Sequence, residues 1–424
     1  MNDSIVSIGG VSLEELANTY STPLYIYDQK RIEEQMDTFK EAFLSDDFKT
    51  EVLYASKAFS CLKMIALVKA HGLCLDVVSG GELYTAYKAG FDMDHVYFHG
   101  NNKTHEELEM AFTYGVKTII MDNEMECQEI LDLANQYKKP IQVMLRVNPG
   151  VEAHTHKYIV TAHLDSKFGI TIHEKETIAR MIKAVEANEY VDFYGFHAHI
   201  GSQIFDVQAY VAEIKTLCKF IKEMEDTYQI QTKALNLGGG FAAYYTSEDH
   251  PIPIQEVCST IINTCKEMKE TFQLKITTLM IEPGRSIVAE AGSTLYRVGY
   301  SKDTKNKHYV FVDGGMSDNI RPALYQAKYR CALVNANPSA TKINTCVAGK
   351  CCESGDILID NILLPEAKQN DLLIVYTTGA YGYSMASNYN RLQKPAVVFV
   401  KDGKAKLVIK KETYEDLLAL DCLE

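Results

Sequence analysis

The sequence has no long apolar run and no excess of basic residues, and both absences exclude classes of protein. No stretch of the 424 residues approaches the length of a membrane span, and the first ten (MNDSIVSIGG) lack the basic and apolar regions of a secretory signal. A formal net charge of −13 argues against nucleic acid and against an anionic membrane surface, since binding either would need a basic face. We therefore predict a cytoplasmic protein whose partner is a small molecule.

Paired cysteine motifs are also missing. The chain has 11 cysteines, an odd number, and they are scattered without a CxxC pair. The sequence therefore predicts neither a structural zinc site nor a disulfide framework. Most of the cysteines are expected to be small buried hydrophobic residues in a reducing compartment.

From about residue 51 to about residue 285, short apolar or β-branched runs alternate with helical patterns, of which 207–224 is the clearest. Repeated strand–helix units predict parallel strands. Eight units favour a closed (β/α)8 barrel of the TIM type, with a doubly wound open sheet as the alternative. The predicted strands are 51–57, 74–79, 96–101, 118–122, 141–148, 192–200, 234–240 and 277–284.

After residue 285 the helical patterns thin out and strands are predicted at 309–312, 372–376, 396–400 and 407–410. Asp402-Gly403 suits a hairpin turn between the last two. The segment 22–27 (TPLYIY) is also strand-like and is expected to join these strands rather than the barrel. The predicted organisation is a barrel domain over 30–285 and a second, mostly β domain, of barrel or sandwich type, formed by 1–29 together with 286–424.

Chemically active residues gather at the predicted carboxyl ends of the barrel strands, where such barrels carry their chemistry. Lys57 closes the first strand. Burial there would favour a neutral amine that can form a Schiff base, and the alternative is a lysine that reaches solvent. The triplet Gly238-Gly239-Gly240 suits either close approach to a phosphate or a tight turn. Glu282 would keep a pyridine nitrogen protonated or would pair with Arg285.

The histidines of the sixth strand allow two interpretations. His197 and His199 lie on one face of the strand and could form a metal pair, as could His154 and His156. No cluster of carboxylates or cysteines obviously completes either site. A ring of His199 packed flat on an aromatic cofactor is the other interpretation.

The second domain holds two further groups of candidates. Arg321 and Tyr325 lie in NIRPALY, and arginine binds carboxylates through a bidentate fork. Cys352 and Glu353 lie in the polar segment CCESGD. Cys352 stands out from the other cysteines because its neighbours are polar, but Cys351 has a similar setting and local sequence does not rank them.

Together the motifs resemble those of the alanine-racemase-like, fold-type III decarboxylases that depend on pyridoxal 5'-phosphate (PLP). The resemblance covers nearly the whole chain, from Thr22 to Asn390, and is strongest to the members that act on diaminopimelate. The matching motifs are TPLYIYD, YASKAF, DVVSGGEL, HGNNKT, RVNPG, DSKFGI, HAHIGSQ, LNLGGGF, EPGRS, RPALY, CESGD and GAYGYSMASNYN.

The resemblance implies PLP as the cofactor, no metal, and a role for each matching residue. The implied catalytic residues are Lys57, which holds PLP covalently, Cys352, the proton donor, and His199, which stacks on the pyridine ring. The implied cofactor contacts are Lys57, His199, Ser202, Gly238, Gly239, Gly240, Glu282, Pro283, Gly284, Arg285 and Tyr381. The implied substrate contacts are Arg285, Arg321, Tyr325, Glu353 and Tyr381.

The implied reaction is the decarboxylation of meso-2,6-diaminopimelate to L-lysine and CO2, the last step of lysine biosynthesis. A homodimer is implied as well, because in this family the CESGD loop reaches the active site of the neighbouring subunit. The alternatives are a relative that acts on carboxynorspermidine, ornithine or arginine, a PLP-holding homologue without catalysis, and a metal-dependent barrel hydrolase. Phe59 and Lys350-Cys351 depart from the family pattern and leave fine substrate selectivity open.

Overall fold

The computed structural model of the chain describes residues 6–151, 166–337 and 339–423. The first elements are β1 (Ser7–Ile8), β2 (Val11–Ser12), α1 (Leu13–Tyr20), β3 (Leu24–Asp28) and α2 (Gln29–Ala42). Strands and helices then alternate: β4 (Lys49–Ala55), α3 (Leu62–Ala70), β5 (Cys74–Val77), α4 (Gly80–Lys88), β6 (Val96–Phe98), α5 (His105–Tyr114), β7 (Thr118–Met121), α6 (Glu124–Tyr137), β8 (Ile141–Asn148), β9 (Ile170–Thr171), α7 (Lys175–Glu186), β10 (Val191–His197), α8 (Gln208–Tyr228), β11 (Ala234–Asn236), α9 (Ile254–Phe272) and β12 (Thr278–Ile281).

The remaining elements are mostly strands: α10 (Arg285–Val288), β13 (Gly292–Asp303), β14 (His308–Val312), α11 (Arg321–Tyr325), β15 (Cys331–Leu333), β16 (Lys342–Ala348), β17 (Ile357–Pro365), β18 (Leu372–Tyr376), β19 (Ala396–Lys401), β20 (Lys404–Ile409) and α12 (Tyr414–Leu418). The chain divides into two compact units. Unit 1 comprises 1–34, 243–250 and 285–424, and unit 2 comprises 35–242 and 251–284. Across the described residues, no helix is long and apolar enough to cross a membrane.

In the described part of unit 2, eight parallel strands close into a barrel in the order β4-β5-β6-β7-β8-β10-β11-β12. The pairing of β12 with β4 completes the ring, so the predicted barrel is confirmed and the open sheet is wrong. Each strand sends one side chain into a shared interior layer, which holds Leu53, Cys74, Tyr97, Ile120, Met144, Tyr194, Ala234 and Met280. Several strands end before their predicted ends, so the polar residues that follow them lie in loops at the carboxyl face.

Unit 1 contains a mixed sheet in the order β17-β16-β14-β13-β3-β19-β20. The early strand β3 pairs with β13 and with β19, as predicted for the TPLYIY segment. The predicted hairpin is also confirmed. β19 and β20 pair antiparallel with Lys401 opposite Lys404, and the two turn residues between them, Asp402 and Gly403, both have positive φ, as a tight hairpin requires.

Candidate active site

Lys57 lies directly after β4, in a short 3-10 helix that spans Ser56–Ala58, and its side chain is exposed. The prediction of a buried lysine on the strand itself is therefore wrong, because the strand ends at Ala55 and residue 57 lies on the turn. Glu82 fixes that turn. Its Oε2 accepts hydrogen bonds from Ser56 Oγ at 2.7 Å and from the backbone N–H of Val78 at 2.8 Å.

The glycine triplet after β11 forms a loop that no other residue fits without displacing its neighbours. Gly238 and Gly240 have φ of 65° and 99°. A Cβ on Gly239 would lie 2.4 Å from the carbonyl oxygen of Glu282, and one on Gly240 would lie 2.5 Å from Ile204 Cδ1. The backbone therefore stays bare at this point of the carboxyl face, as a loop that approaches a phosphate requires.

His199 lies beside this loop and is fixed by it. The backbone N–H of Gly239 donates to His199 Nδ1 at 3.2 Å, so Nδ1 acts as the acceptor of the ring. Burial, with a further contribution from the positive charges of Lys57 and Arg146, lowers the pKa of His199 to about 3. The ring is therefore a neutral imidazole at physiological pH, which suits stacking on a flat, electron-poor ring.

Glu282 follows β12 and is in close contact with nitrogen atoms of three side chains. Asn236 Nδ2 donates to its Oε1 at 2.8 Å, and His99 Nε2 lies 3.0 Å from the same oxygen. His197 Nε2 lies 3.3 Å from Oε2. Burial alone would raise the pKa of Glu282, but His99 and His197 lower it well below its usual value. Because burial lowers the pKa of His197 to about 4, its donated N–H rather than a positive charge stabilises the Glu282 carboxylate.

The interpretation of His197 and His199 as a metal pair finds no support, because the two rings have different partners. His197 faces His99, with ring centroids 4.9 Å apart, and both approach Glu282, whereas His199 contacts the glycine loop. Among the described residues, the group with metal-ligand spacing is His99, His197 and Glu282. The other pair considered, His154 and His156, lies outside the described residues.

A second buried glutamate lies near this group in unit 2. Glu213 on α8 is fully buried, and neither of its carboxylate oxygens has a hydrogen-bond partner among the described residues. Burial raises its pKa well above the usual value, and the negative charge of Glu282 raises it further. Glu213 is therefore a neutral carboxylic acid over a pH range where an exposed glutamate is ionised.

We expect the Glu213→Gln substitution to make the protein less sensitive to rising pH. The folded state holds the Glu213 proton more tightly than the unfolded state, so this stabilisation is complete below the ordinary glutamate pKa and is lost as pH rises towards the folded-state value. Above the ordinary glutamate pKa, the free energy of unfolding of the parent should fall by up to about 1.4 kcal/mol per pH unit relative to that of the variant. Urea unfolding of both proteins from about pH 5 to about pH 8 measures the difference. In the exposed control Glu270→Gln, the free energy of unfolding should depend on pH as it does in the parent. The same pH dependence in Glu213→Gln would contradict the expectation.

In unit 1, two arginines share a group of tyrosine rings. Arg285 Nη1 donates to Tyr245 Oη at 2.7 Å, and Arg321 Nε donates to Tyr329 Oη at 2.9 Å. The Arg321 guanidinium lies 5.7 Å from the ring centres of Tyr245, Tyr325 and Tyr381. No carboxylate of the described residues forms an ion pair with Arg321. Two cations held by neutral aromatic rings suit an anion such as a carboxylate.

The cysteine loop is also in unit 1, and the structure distinguishes its two thiols. Cys351 is buried, and its backbone N–H donates to Asp356 Oδ2 at 2.7 Å. Cys352 is exposed, and its N–H donates to Asn390 Oδ1 at 2.7 Å. Cys352, the expected proton donor, is therefore the more accessible of the two thiols. Glu353, the next residue, is exposed as well.

Sequence reasoning missed several residues of these groups. Asn236 contacts Glu282, while Tyr245 and Tyr329 hold the two arginines, and none of the three was a candidate. Asn236 immediately precedes the LGGG segment, so its place at a strand end was the available signal. The tyrosines carried no signal, because 26 tyrosines are spread along the chain.

Comparison with known proteins agrees with this arrangement. Residues 29–289 match the family model described as "Pyridoxal-dependent decarboxylase, pyridoxal binding domain". The diaminopimelate decarboxylase of Bacillus subtilis (strain 168) is 51% identical to this chain, over 98% of the chain and 95% of the relative. The chain belongs to the diaminopimelate decarboxylase family. The enzyme of Staphylococcus aureus (strain COL) in this family is 44% identical over 98% of this chain and 97% of its own length.

Solved structures of diaminopimelate decarboxylases have the same fold. The crystal structure of the M. jannaschii enzyme in co-complex with L-lysine superimposes with a TM-score of 0.91 at 32% identity, covering 100% of this chain and 98% of that one. The family depends on PLP, and the residues of unit 2 fit this cofactor. The bare glycine loop suits its phosphate, and an ionised Glu282 suits a protonated pyridine nitrogen.

Proposed function

We propose that this chain decarboxylates meso-2,6-diaminopimelate to L-lysine and CO2, with PLP held on Lys57. The observation that carries the proposal is the near-full-length similarity to diaminopimelate decarboxylases at up to 51% identity. The chain keeps the residue types that this chemistry needs at the ends of the barrel strands. PLP supplies an electron sink for the electrons that the departing carboxylate leaves behind.

The residues of unit 2 bind and polarise the cofactor in this proposal. Lys57 anchors it, and Gly238, Gly239, Gly240 and Ser202 contact its phosphate. His199 presents a neutral ring to its face. Glu282 holds a proton on the pyridine nitrogen, and an ionised carboxylate suits this task. Pro283 and Gly284, which connect Glu282 to Arg285, also contact the cofactor in this proposal.

The residues of unit 1 bind the substrate and return a proton. Arg285 and Arg321, with Tyr325 and Tyr381 beside them, bind the distal carboxylate, which diaminopimelate has and ornithine lacks. Glu353 meets the distal ammonium. Cys352 delivers a proton to the α-carbon, and its exposed thiol supports this role over the buried Cys351.

The substrate proposal is tested by comparing CO2 release from meso-diaminopimelate and from ornithine, with and without added PLP. We expect turnover of diaminopimelate only when PLP is present. Arg321→Leu should lower kcat/KM for diaminopimelate about a hundredfold, because it removes a buried charged partner of the carboxylate. The rate with ornithine should change little. Arg330→Leu is the matched control, since Arg330 also lies over tyrosine rings, those of Tyr244 and Tyr376. A higher kcat/KM for ornithine than for diaminopimelate would contradict the assignment of Arg321 to a distal carboxylate.

We further propose a homodimer in which the Cys352 loop completes the site of the neighbouring subunit. The resemblance supports this, as does the exposure of Cys352 and Glu353. Mixing two inactive variants, Lys57→Ala and Cys352→Ala, should then restore about a quarter of the parent rate. Half of the randomly formed dimers hold one complete site out of two. An inactive mixture whose subunits are shown to exchange would contradict the shared site.

A further inference from the structure

We propose that Asn236 and His197, together with His99 in close contact beside them, form a clamp that orients Glu282 and keeps it ionised for the pyridine nitrogen of PLP. The three are positioning residues, because each acts through Glu282. The inference rests on the proposed function for the identity of the cofactor. It goes beyond that function by assigning what sets the protonation state of the cofactor ring.

The first argument is geometric, because both oxygens of Glu282 are engaged from different strands. Oε1 accepts from Asn236 Nδ2 at 2.8 Å and lies 3.0 Å from His99 Nε2, while Oε2 lies 3.3 Å from His197 Nε2. Asn236 ends β11, His197 ends β10 and His99 follows β6. An ionised carboxylate only accepts hydrogen bonds, so Asn236 Nδ2 and His197 Nε2 donate to it, whereas His99 Nε2 is in close contact without hydrogen-bond geometry. Partners on three strands fix the plane of the carboxylate.

The second argument is that the clamp also holds the phosphate loop. Asn236 Oδ1 accepts the backbone N–H of Gly238 at 2.9 Å, while Nδ2 of the same side chain donates to Glu282. The backbone N–H of Glu282 donates to the carbonyl of Gly238 at 2.8 Å. Asn236 therefore fixes the distance between the glycine loop, which would bind the phosphate, and Glu282, which would contact the ring nitrogen.

The third argument concerns charge. Glu282 is buried, and burial disfavours its charged form, so the donors must outweigh that cost. Two other buried carboxyl groups, Asp76 and Glu213, would repel its charge when they are ionised. The titratable groups that act on Glu282 are Asp76, His99, Arg146, His197, His199 and Glu213. Removing a donor should therefore shift the proton balance between Glu282 and the ring nitrogen.

The experiment uses the PLP-loaded protein without substrate. His197→Leu removes a donor, whereas His197→Gln keeps an N–H that can reach Glu282 but carries no charge. Asn236→Ala is a second removal variant if His197→Leu does not fold. Tyr194→Phe is the matched control, because it removes a hydrogen bond of 3.0 Å to Thr278 Oγ1 at the other end of the same two strands. The readouts are the pH titration of the visible absorbance of the bound cofactor and the dissociation constant of PLP from the protein.

We expect both removal variants to lower the midpoint of the cofactor's pH titration by about one pH unit, a tenfold change in proton affinity. The PLP dissociation constant should rise about tenfold or more, as expected for the loss of a hydrogen bond to a charged group. In His197→Gln and Tyr194→Phe, the proton affinity of the cofactor and the PLP dissociation constant should stay within about twofold of the parent values. Removal variants with the parent's midpoint, or a control that shifts as far as they do, would overturn the clamp. Neither readout needs turnover of diaminopimelate, so failure of the substrate assignment is a separate result.

Discussion

Replacing Lys57 with alanine is expected to lower kcat for diaminopimelate by at least about a thousandfold. The side chain is the proposed covalent anchor of PLP, which would hold the cofactor between turnovers and receive it back when product leaves. Neither an exposed alanine nor solvent replaces both roles. The variant should fold normally, because the Lys57 side chain is exposed and the Ser56–Glu82 hydrogen bond that fixes its turn remains.

Borohydride reduction followed by mass measurement of tryptic peptides tests the anchor directly. The parent should retain PLP mass on the peptide that contains Lys57, and the variant should retain none. Lys167→Ala is the control, since Lys167 lies in the DSKFGI motif and is the next candidate in the sequence. Trapping that disappears in Lys167→Ala and persists in Lys57→Ala would move the anchor to Lys167.

Glu282→Gln is expected to lower kcat by about a hundredfold to a thousandfold, the usual effect of removing one preorganised electrostatic partner. A neutral amide does not hold a proton on the pyridine nitrogen, so the electron sink is weakened while the shape of the site is kept. The substrate KM should change much less than kcat. Steady-state kinetics at saturating PLP separate the two parameters.

Glu213→Gln is the matched control for that substitution. Both glutamates are buried in unit 2, and the chemical change is identical, but Glu213 is held as a neutral acid and is assigned no contact with cofactor or substrate. The control should keep kcat within about twofold of the parent. Equal losses in both variants would mean that the electrostatics of unit 2 as a whole, rather than the contact of Glu282 with the cofactor, determine the rate.

The architecture was accessible from the sequence because barrel strands leave a strong local pattern. β8 and β18 have their predicted ends, and the other predicted strands differ by a few residues, but β13, β15, β16 and β17 of unit 1 were not predicted. The errors lie where a strand turns into a loop, since apolar patterning continues for one or two residues beyond the last ladder hydrogen bond. Lys57 is such a case, because the prediction placed it on the strand when it lies on the following turn.

The contacts within the site were less accessible, because they depend on how strands align in three dimensions. His99, His197 and Asn236 are far apart in sequence and meet at Glu282 only after β6, β10, β11 and β12 have taken their register in the closed ring. The sequence motif HAH therefore left open a metal pair of His197 with His199. In the structure the two rings have different partners, because His197 contacts Glu282 and His199 contacts the glycine loop. Likewise, nothing local in the sequence connects Tyr245 with Arg321.

The place of β3 in the sheet of unit 1 affects the order in which a newly made chain can fold. β3 is among the first elements to leave the ribosome, but its partners β13 and β19 begin at residues 292 and 396. At about 5–20 residues per second, this strand must wait for tens of seconds without its neighbours. Unit 2 has all of its strands by residue 281 and does not wait for the C-terminus. During synthesis, the apolar TPLYIY segment is thus exposed to aggregation until β13 and β19 have been made.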